Sequence, residues 1–324
     1  KAPIYLFEAG SFSETTAMSG SASFVIGGIR NHDLENYTDT SEAINTHYSY
    51  NVGLITSFNG EDNLFVGLEA GNAGTGTTVL LDNTNVVANA DQLFVSSMYY
   101  SFPIMGWDVA VGPLLAQDDL VATTTSKYSD AFYLSGNAVG NNAWTLPGLT
   151  GTGIASAKVY ENGFNLGANF ISITGNTTGF LTEESAEMGT LMAGYDAENF
   201  GGGIIYTKYD EFFGYHDNTT QYYLDYYGVS ELQLTTWEVG GYWTLKDKLT
   251  TNIGLEVIDA DIGLDSPEFT YSTLSMDYEL NENNIISGAW KNINFLNTNG
   301  TVDYLGDVFE FYYTRDVNDA ISIK

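Results

Sequence analysis

Histidine, paired carboxylates and glycine-rich loops are the usual carriers of chemistry, and this chain spaces all three poorly for catalysis. Its three histidines, His32, His47 and His216, fall in separate predicted loops, with no spacing that builds a metal site or a Ser-His-Asp set. The pair Glu183-Glu184 reads as solvated loop charge. Asp259-Ala260-Asp261-Ile262-Gly263-Leu264-Asp265 has the spacing of a calcium loop in part, but lacks the acid before the glycine and the distal glutamate. Gly74-Thr75-Gly76 is a fragment of a phosphate motif without a strand-to-helix setting. The chain has no cysteine, which excludes disulfides and thiolate metal sites. The residues therefore predict no enzyme, no metal site and no cofactor.

What the residues can do is filter. The longest predicted loop, 116–152, begins Gln117-Asp118-Asp119 and continues through Lys127, Tyr128 and Asp130 to Phe132, Tyr133 and Trp144. If it folds into a channel, these groups line an eyelet that selects by size and charge; the alternative is an external loop that caps the channel or touches a neighbour. A second set of charges follows from strand phase. Glu69, Asp108, Glu187, Glu238, Glu256, Asp277 and Glu310, against Lys158 and Lys291, fall on the polar side of alternating stretches. Facing carboxylates in a low-dielectric wall favour cations; near a pore mouth the same groups would be solvated and screened. Tyr99, Tyr160 and Tyr242 are candidates for a stacking surface for sugars, or for space filling and girdles.

The elements that must position these groups are strands. In Gly153 to Ser172, Ala155, Ala157 and Val159 alternate with Ser156 and Lys158, and Glu161-Asn162-Gly163 supplies a tight turn. Beyond it, Phe164, Leu166, Ala168 and Phe170 alternate with Asn165, Gly167 and Asn169. The same rhythm runs from Met18 to the end, giving fourteen strands and the start of a fifteenth at Ile321. Short turns alternate with long loops, and most strands reach about nine to eleven residues, the length that crosses a bilayer when tilted. The aromatic residues Phe58, Phe102, Trp107, Tyr160, Phe164, Tyr195, Phe200, Trp243, Tyr278 and Tyr313 stand beside the short turns, where an interfacial girdle belongs. A soluble sandwich, the competing all-β reading, seldom keeps strands this long or loops this asymmetric.

Composition agrees. The longest apolar runs, such as Val109 to Ala116, are too short for a membrane helix. Only 16% of residues are charged, yet the net charge is −31, which disfavours nucleic acid as a partner. The predicted fold is all-β: a transmembrane antiparallel β-barrel in the bacterial outer membrane, in contact with its lipid and lipopolysaccharide. Residues 1–15 form a lead-in, and 16–324 the barrel with loop 116–152 folded inward. An even strand number with both ends inside predicts sixteen strands in the complete protein, with the last missing from this chain. No basic-then-apolar leader opens the sequence, which suggests a processed end at Lys1.

The segment Phe7-Glu8-Ala9-Gly10-Ser11-Phe12-Ser13-Glu14-Thr15-Thr16, followed by Met18-Ser19-Gly20-Ser21-Ala22-Ser23-Phe24-Val25-Ile26-Gly27-Gly28, resembles the barrel start of cyanobacterial major outer-membrane porins, relatives of the carbohydrate-selective porins. The resemblance implies a sixteen-stranded barrel, a homotrimer, and an upstream surface-layer-homology domain, absent here, that grips peptidoglycan or wall polysaccharide. Small residues expected to face outward, Gly20, Ala22, Ala155 and Ala157, would permit close contact between barrels. The function expected is passive diffusion of small hydrophilic solutes and inorganic ions with a cation preference. The alternatives are a carbohydrate-permeable channel and a plugged barrel with a structural or wall-tethering role.

Overall fold

The alternation seen in the sequence is present as strands, and every described turn between them is short where the sequence has Asn, Gly or Asp. The structure is a computed structural model that describes residues 15–27, 44–72, 91–128, 145–146, 148–182, 185–212, 232–246, 248–261, 268–296, 302–318 and 321–323. The chain divides into two compact units, 1–105 and 106–324. The first holds β1 (Thr16–Gly27), β2 (Asn45–Thr56), β3 (Asn63–Gly71) and β4 (Phe94–Ile104). The second holds β5 (Trp107–Ala116), β6 (Thr150–Val159), β7 (Phe164–Ser172), β8 (Glu187–Asp196), β9 (Phe200–Phe212), β10 (Leu232–Leu245), β11 (Leu249–Asp261), β12 (Glu268–Asn281), β13 (Asn284–Leu296), β14 (Val302–Asn318) and β15 (Ile321–Ile323). Within each unit the sheet order is the chain order, β1 to β4 and β5 to β15, and the pairing is antiparallel. The fifteen strands match the fourteen and a start expected from the sequence. His47 lies within β2 rather than in a loop.

In the first unit, the polar face of the meander is set by Ser19, Ser21 and Ser23 opposite Gly53, Asn51 and Ser49. Glu69 lies opposite Asn51 and so shares that face. The other face carries Gly20 and Ala22 with Val52 and Tyr50. The turn between β2 and β3 is built on one carboxylate. Asp62 is 2% exposed; its Oδ1 accepts from Ser57 Oγ at 3.0 Å, Phe58 N at 2.8 Å and Asn59 N at 2.9 Å, while its Oδ2 accepts from Tyr100 OH at 2.6 Å. The Tyr100 hydroxyl, helped by the two backbone amides and Ser57, holds this carboxyl well below the ordinary Asp range. A depressed carboxyl stabilises the fold at pH above its unfolded value of about 3.9 and loses that contribution as the pH falls towards the folded value. Asp62→Asn is therefore expected to lower the thermal unfolding temperature at neutral pH, with the gap to the parent closing below about pH 4; a gap that does not depend on pH would refute this assignment.

In the second unit the distribution of polarity is the reverse of a soluble protein's. Leu191 is 60%, Ile253 68%, Phe309 74% and Phe311 77% exposed, whereas Asn165, Thr190, Thr207, Thr236, Glu238, Asn252, Glu256 and Ser275 are buried. Because side chains directly opposite in an antiparallel pair share a face, the register connects the buried set across the sheet: Asn169↔Thr190, Thr190↔Thr207, Thr207↔Thr236, Glu238↔Glu256 and Ser275↔Ala289. The exposed set is connected in the same way, Ala168↔Leu191↔Tyr206↔Trp237. So one continuous face is apolar and uncovered, and the opposite face is polar and covered.

At the short-turn end of the apolar face the aromatic residues meet in series. Phe164 and Tyr195 have ring centroids 5.2 Å apart, and Tyr195 and Phe200 6.0 Å. Phe200 lies opposite Trp243. Edge and tilted contacts of this kind add to plain area burial and suit the boundary between hydrocarbon and water.

Candidate functional site

What covers the polar face of the second unit is the segment that follows β5. Residues 117–128 run over it, and Thr145 and Leu146 return over it. Gln117 is fully buried; its Nε2 donates to the Thr145 carbonyl at 3.0 Å and to Thr190 Oγ1 at 2.7 Å, and its own carbonyl accepts from Asn169 Nδ2 at 2.7 Å. Farther on, Thr123 Oγ1 donates to Asn165 Oδ1 at 2.8 Å, Lys127 N to Asn252 Oδ1 at 2.7 Å, and Tyr128 OH to Glu310 Oε1 at 2.7 Å. On the return, Thr145 N and Oγ1 each reach Glu256 Oε1 at 2.7 Å. Within twelve residues the segment thus touches β7, β8, β11 and β14, which requires the sheet of this unit to curve around it.

The wall is shaped to receive this segment. Gly194, Gly203 and Gly240 face it where any side chain would collide: a Cβ at Gly203 would stand 2.2 Å from Thr123 Cγ2, and one at Gly240 2.6 Å from the Thr125 carbonyl oxygen. An apolar patch adds to the seat, with Leu146, Met192 and Ile205 buried together and Val121 and Ala122 packed on them. At the far end Tyr128 is buried with Ala289 and Tyr312, its ring edge-on to Tyr312 at 6.1 Å. The polar wall beneath is tied by Asn165 Nδ2 donating to Asp196 Oδ2 at 2.8 Å and Tyr242 OH donating to Asp196 Oδ1 at 2.7 Å.

The residues expected in the loop take unlike positions. Asp118 and Lys127 are exposed. The Lys127 ammonium stands 4.1 Å over the Tyr242 ring, a cation–π contact. Gln117 and Tyr128 are buried tethers and do not line an opening, a correction that follows from their hydrogen bonds into the wall. Asp119 closes a local turn by accepting from Ala116 N at 2.7 Å. Asp130, Phe132, Tyr133 and Trp144 lie outside the described residues. Replacement of Gln117 by methionine, close in shape but without its donors, is expected to cost about 0.5–1.5 kcal/mol for each hydrogen bond lost, since the Thr145 carbonyl and Thr190 Oγ1 keep Thr207 Oγ1 as a partner. Unfolding of Gln117→Met in detergent measures this, and an unchanged stability would remove Gln117 from the anchoring role.

The other charges of the second unit divide between the two faces of its sheet. Asp108 lies opposite Ala157, Glu238 opposite Glu256, Asp277 opposite Ser287, and Glu310 opposite Ala289, all on the covered, polar face. Lys291 joins them opposite Thr273, 4.5 Å from the Tyr271 ring. Lys158, the alanines of β6 and Glu187 depart from the faces expected of them. Lys158 lies opposite Leu166 on the apolar face, and its ammonium rests 5.0 Å from the Tyr160 ring and 5.7 Å from that of Trp107. It is a girdle lysine whose stem lies along apolar surface with its charge at the edge, and Tyr160 belongs to the girdle with it. Ala155 and Ala157, expected outward, are buried on the polar side instead, and Ile154 takes the outward position. Glu187 shares the apolar-face phase of Phe170 and Leu191, but sits at the strand end, where its Oε1 accepts from Ser185 Oγ at 2.7 Å and from Leu181 N, closing a loop. Tyr242, opposite Asn252, lies on the polar face but is 4% exposed beneath Lys127, and Tyr99 lies opposite Phe65 in the first unit. Among the described residues no three His, Cys, Asp or Glu side chains gather as a metal site.

No family model and no curated sequence matches this chain. Solved structures do. In its trimer form, OmpT, an outer-membrane protein of Vibrio cholerae folded in vitro, superposes with a TM-score of 0.60 at 11% identity, over 94% of this chain and 84% of that one. A loop L8 deletion mutant of OmpT gives 0.60 at 11% identity over 94% and 88%, and OmpT expressed in the outer membrane gives 0.57 at 11% identity over 94% and 84%. The chain has the fold of a bacterial outer-membrane β-barrel. In that fold the uncovered apolar face meets hydrocarbon and the covered polar face meets the interior, which is the polarity found here. The bacterial outer membrane is the setting that satisfies both faces.

Proposed function

We propose that the protein is a passive diffusion channel of the bacterial outer membrane for small hydrophilic solutes and inorganic ions, with a preference for cations. The observation that carries this reading is the segment 117–128 seated on the polar face of the sheet. It narrows the interior without filling it with aliphatic side chains alone, and it leaves Asp118 and Lys127 exposed over a wall that carries Asp108, Glu238, Glu256, Asp277 and Glu310, of which Glu238, Glu256 and Asp277 are buried. Five carboxylates and Asp118 against Lys127 and Lys291 favour cations in a low-dielectric passage. The opposed arginine cluster that would set up a strong transverse field is missing from the composition, which has only Arg30 and Arg315.

Reversal potentials across a planar bilayer in a KCl gradient test this directly: K⁺ should be preferred over Cl⁻, and an anion-selective channel would overturn the assignment of the polar face. Asp118 refines the test. Neighbouring loop atoms crowd its carboxyl although the residue still reaches solvent, and this desolvation raises its pKa against the opposing pull of a backbone amide. A raised carboxyl loses its charge at a pH above the ordinary Asp value of about 3.9, so part of the cation preference should disappear on acidification above that pH. Asp118→Asn should lower the preference at neutral pH and abolish that early step; a parent profile with no such step would exclude Asp118 from the passage.

A second reading, a plugged barrel with a structural or wall-tethering role, is favoured by the close fit of Thr123 and Thr125 to the glycine wall and by the apolar patch under Val121 and Ala122. Folded protein that gives neither conductance nor solute flux would support it. Assembly as a homotrimer, kinship with cyanobacterial porins and attachment to wall polysaccharide through an upstream domain belong to the same proposal. They rest on the N-terminal sequence resemblance, and the trimer also on the trimeric form of OmpT. Passage of carbohydrate is the least supported part, since Tyr160 and Tyr242 are not available for stacking.

A further inference from the structure

The apolar face of the second unit has a place that side chains do not fill. Gly202 and Gly241 stand opposite each other on β9 and β10, and there the wall carries a groove of about 600 Å³ with Gly241 in its floor and Phe200, Trp243, Ile253 and Leu274 along its sides. That volume is in the range of small-molecule sites, roughly 300–1,000 Å³. The groove runs towards the short-turn end of the strands, stopping at Trp243 and Thr251, which pair two positions before Leu245↔Leu249 closes the hairpin.

Beyond that closure comes the sequence Lys246-Asp247-Lys248. Other short turns are acidic or neutral: Asn59-Gly60-Glu61-Asp62, Pro103-Ile104-Met105-Gly106, Glu161-Asn162-Gly163, Asp196-Ala197-Glu198-Asn199 and Asn281-Glu282-Asn283-Asn284. In a chain of net charge −31, a turn with a net positive charge stands out. Lys246 and Lys248 are both exposed, and among the described residues neither is bridged to a carboxylate. The turn is held in place, with Lys248 N donating to the Leu245 carbonyl at 3.2 Å and the Lys248 carbonyl accepting from Glu279 N at 2.8 Å. Lys246 is three positions beyond Trp243, about 10 Å at the rise of a strand, the scale of a glycerophosphate group.

We propose that this groove and turn form a binding site for one anionic glycerophospholipid. An acyl chain lies along Gly241 between Phe200 and Ile253, and the phosphate is held by Lys246 and Lys248. Apolar length and basic end are complementary to such a lipid and to no soluble solute, and basic residues at a membrane surface each contribute about 1 kcal/mol towards anionic headgroups. The inference rests on the membrane reading of the fold and adds to it a lipid class and a place.

The test is native mass spectrometry of the detergent-solubilised protein after incubation with phosphatidylglycerol or phosphatidylethanolamine. One phosphatidylglycerol should be retained in preference by about thirtyfold, as two such lysines would give. The double variant Lys246→Gln/Lys248→Gln should lose the preference while its channel conductance is unchanged, and Gly241→Leu, which fills the groove from outside, should weaken retention of both lipids. Equal retention by the parent, or a preference that survives the double variant, overturns the proposal. So does Ile253→p-benzoylphenylalanine if light couples it to a second copy of the chain rather than to lipid. Protein that never inserts into vesicles would remove the membrane reading as well, whereas inserted, conducting protein without lipid preference removes this proposal alone.

Discussion

Gly240→Val is expected to raise single-channel conductance by roughly twofold or more and to make the open current noisier. The reason is steric. A Cβ at Gly240 would stand 2.6 Å from the Thr125 carbonyl oxygen and 2.9 Å from Thr125 Cβ, and nothing else comes as near. The wall cannot yield, because β10 is paired in continuous register with β9 from Leu234 to Trp243 and with β11 from Gln233 to Leu245. The covering segment must yield instead. Overpacking of this kind costs about 1–3 kcal/mol when absorbed in place, comparable with the single hydrogen bonds that hold the segment at Thr123, Lys127 and Tyr128. Lifting Thr125 therefore trades those tethers for space, and the passage widens. Gly240→Ala should do the same to a smaller degree. Recording both variants in planar bilayers checks the order parent, alanine, valine; equal conductance in all three would mean that residues 117–128 do not limit flow.

The sequence was legible where alternation was clean and misleading where the interior is not uniformly polar. Strand number, turn positions and the aromatic girdle could all be read because Phe164, Leu166 and Phe170 differ so plainly from Asn165, Gly167 and Asn169. β6 has no such contrast: Gly151, Gly153, Ala155 and Ala157 are buried on the polar side, yet they count as apolar, so alternation alone gives the opposite phase and turns Lys158 to the wrong face. β8 fails for a related reason. Met188 and Met192 face the interior, Met192 within the apolar seat of Leu146 and Ile205, and a rule that puts apolar residues against lipid then turns Glu187 inward. The errors fall where the wall and the segment lying on it were selected for each other. A glycine at Gly203 or Gly240 gives no sign, from sequence alone, of what approaches it; the clusters Gly201-Gly202-Gly203 and Gly240-Gly241 were the available signal that some backbone or side chain comes close. Gln117 was likewise singled out for its place in the loop, and its role as a tether depends on Thr190 and Asn169, far away in sequence.

Leu191→Arg should separate a membrane wall from a soluble sheet more sharply than any change in the interior. Leu191 is the fifth of ten residues in β8, 60% exposed, and flanked on its face by Ala168 and Tyr206. On a protein that lives in water, arginine at an exposed site of this kind changes stability by about 0.5 kcal/mol at most. Against hydrocarbon at mid-depth it costs about 2–4 kcal/mol, because the guanidinium must give up hydration that the acyl chains cannot replace. The cost falls off towards the interface, so the same arginine at Glu161, in the turn after β6, should be nearly neutral and serves as the control for handling and expression. Urea titration of folding into phospholipid vesicles, followed by the gel mobility of folded and unfolded forms, reads both. The expected result is a large loss for Leu191→Arg and little for Glu161→Arg. Near-equality of the two would place water against the apolar face, and since Leu191 is continuous in register with Trp237, it would do so for the whole wall from β7 to β10.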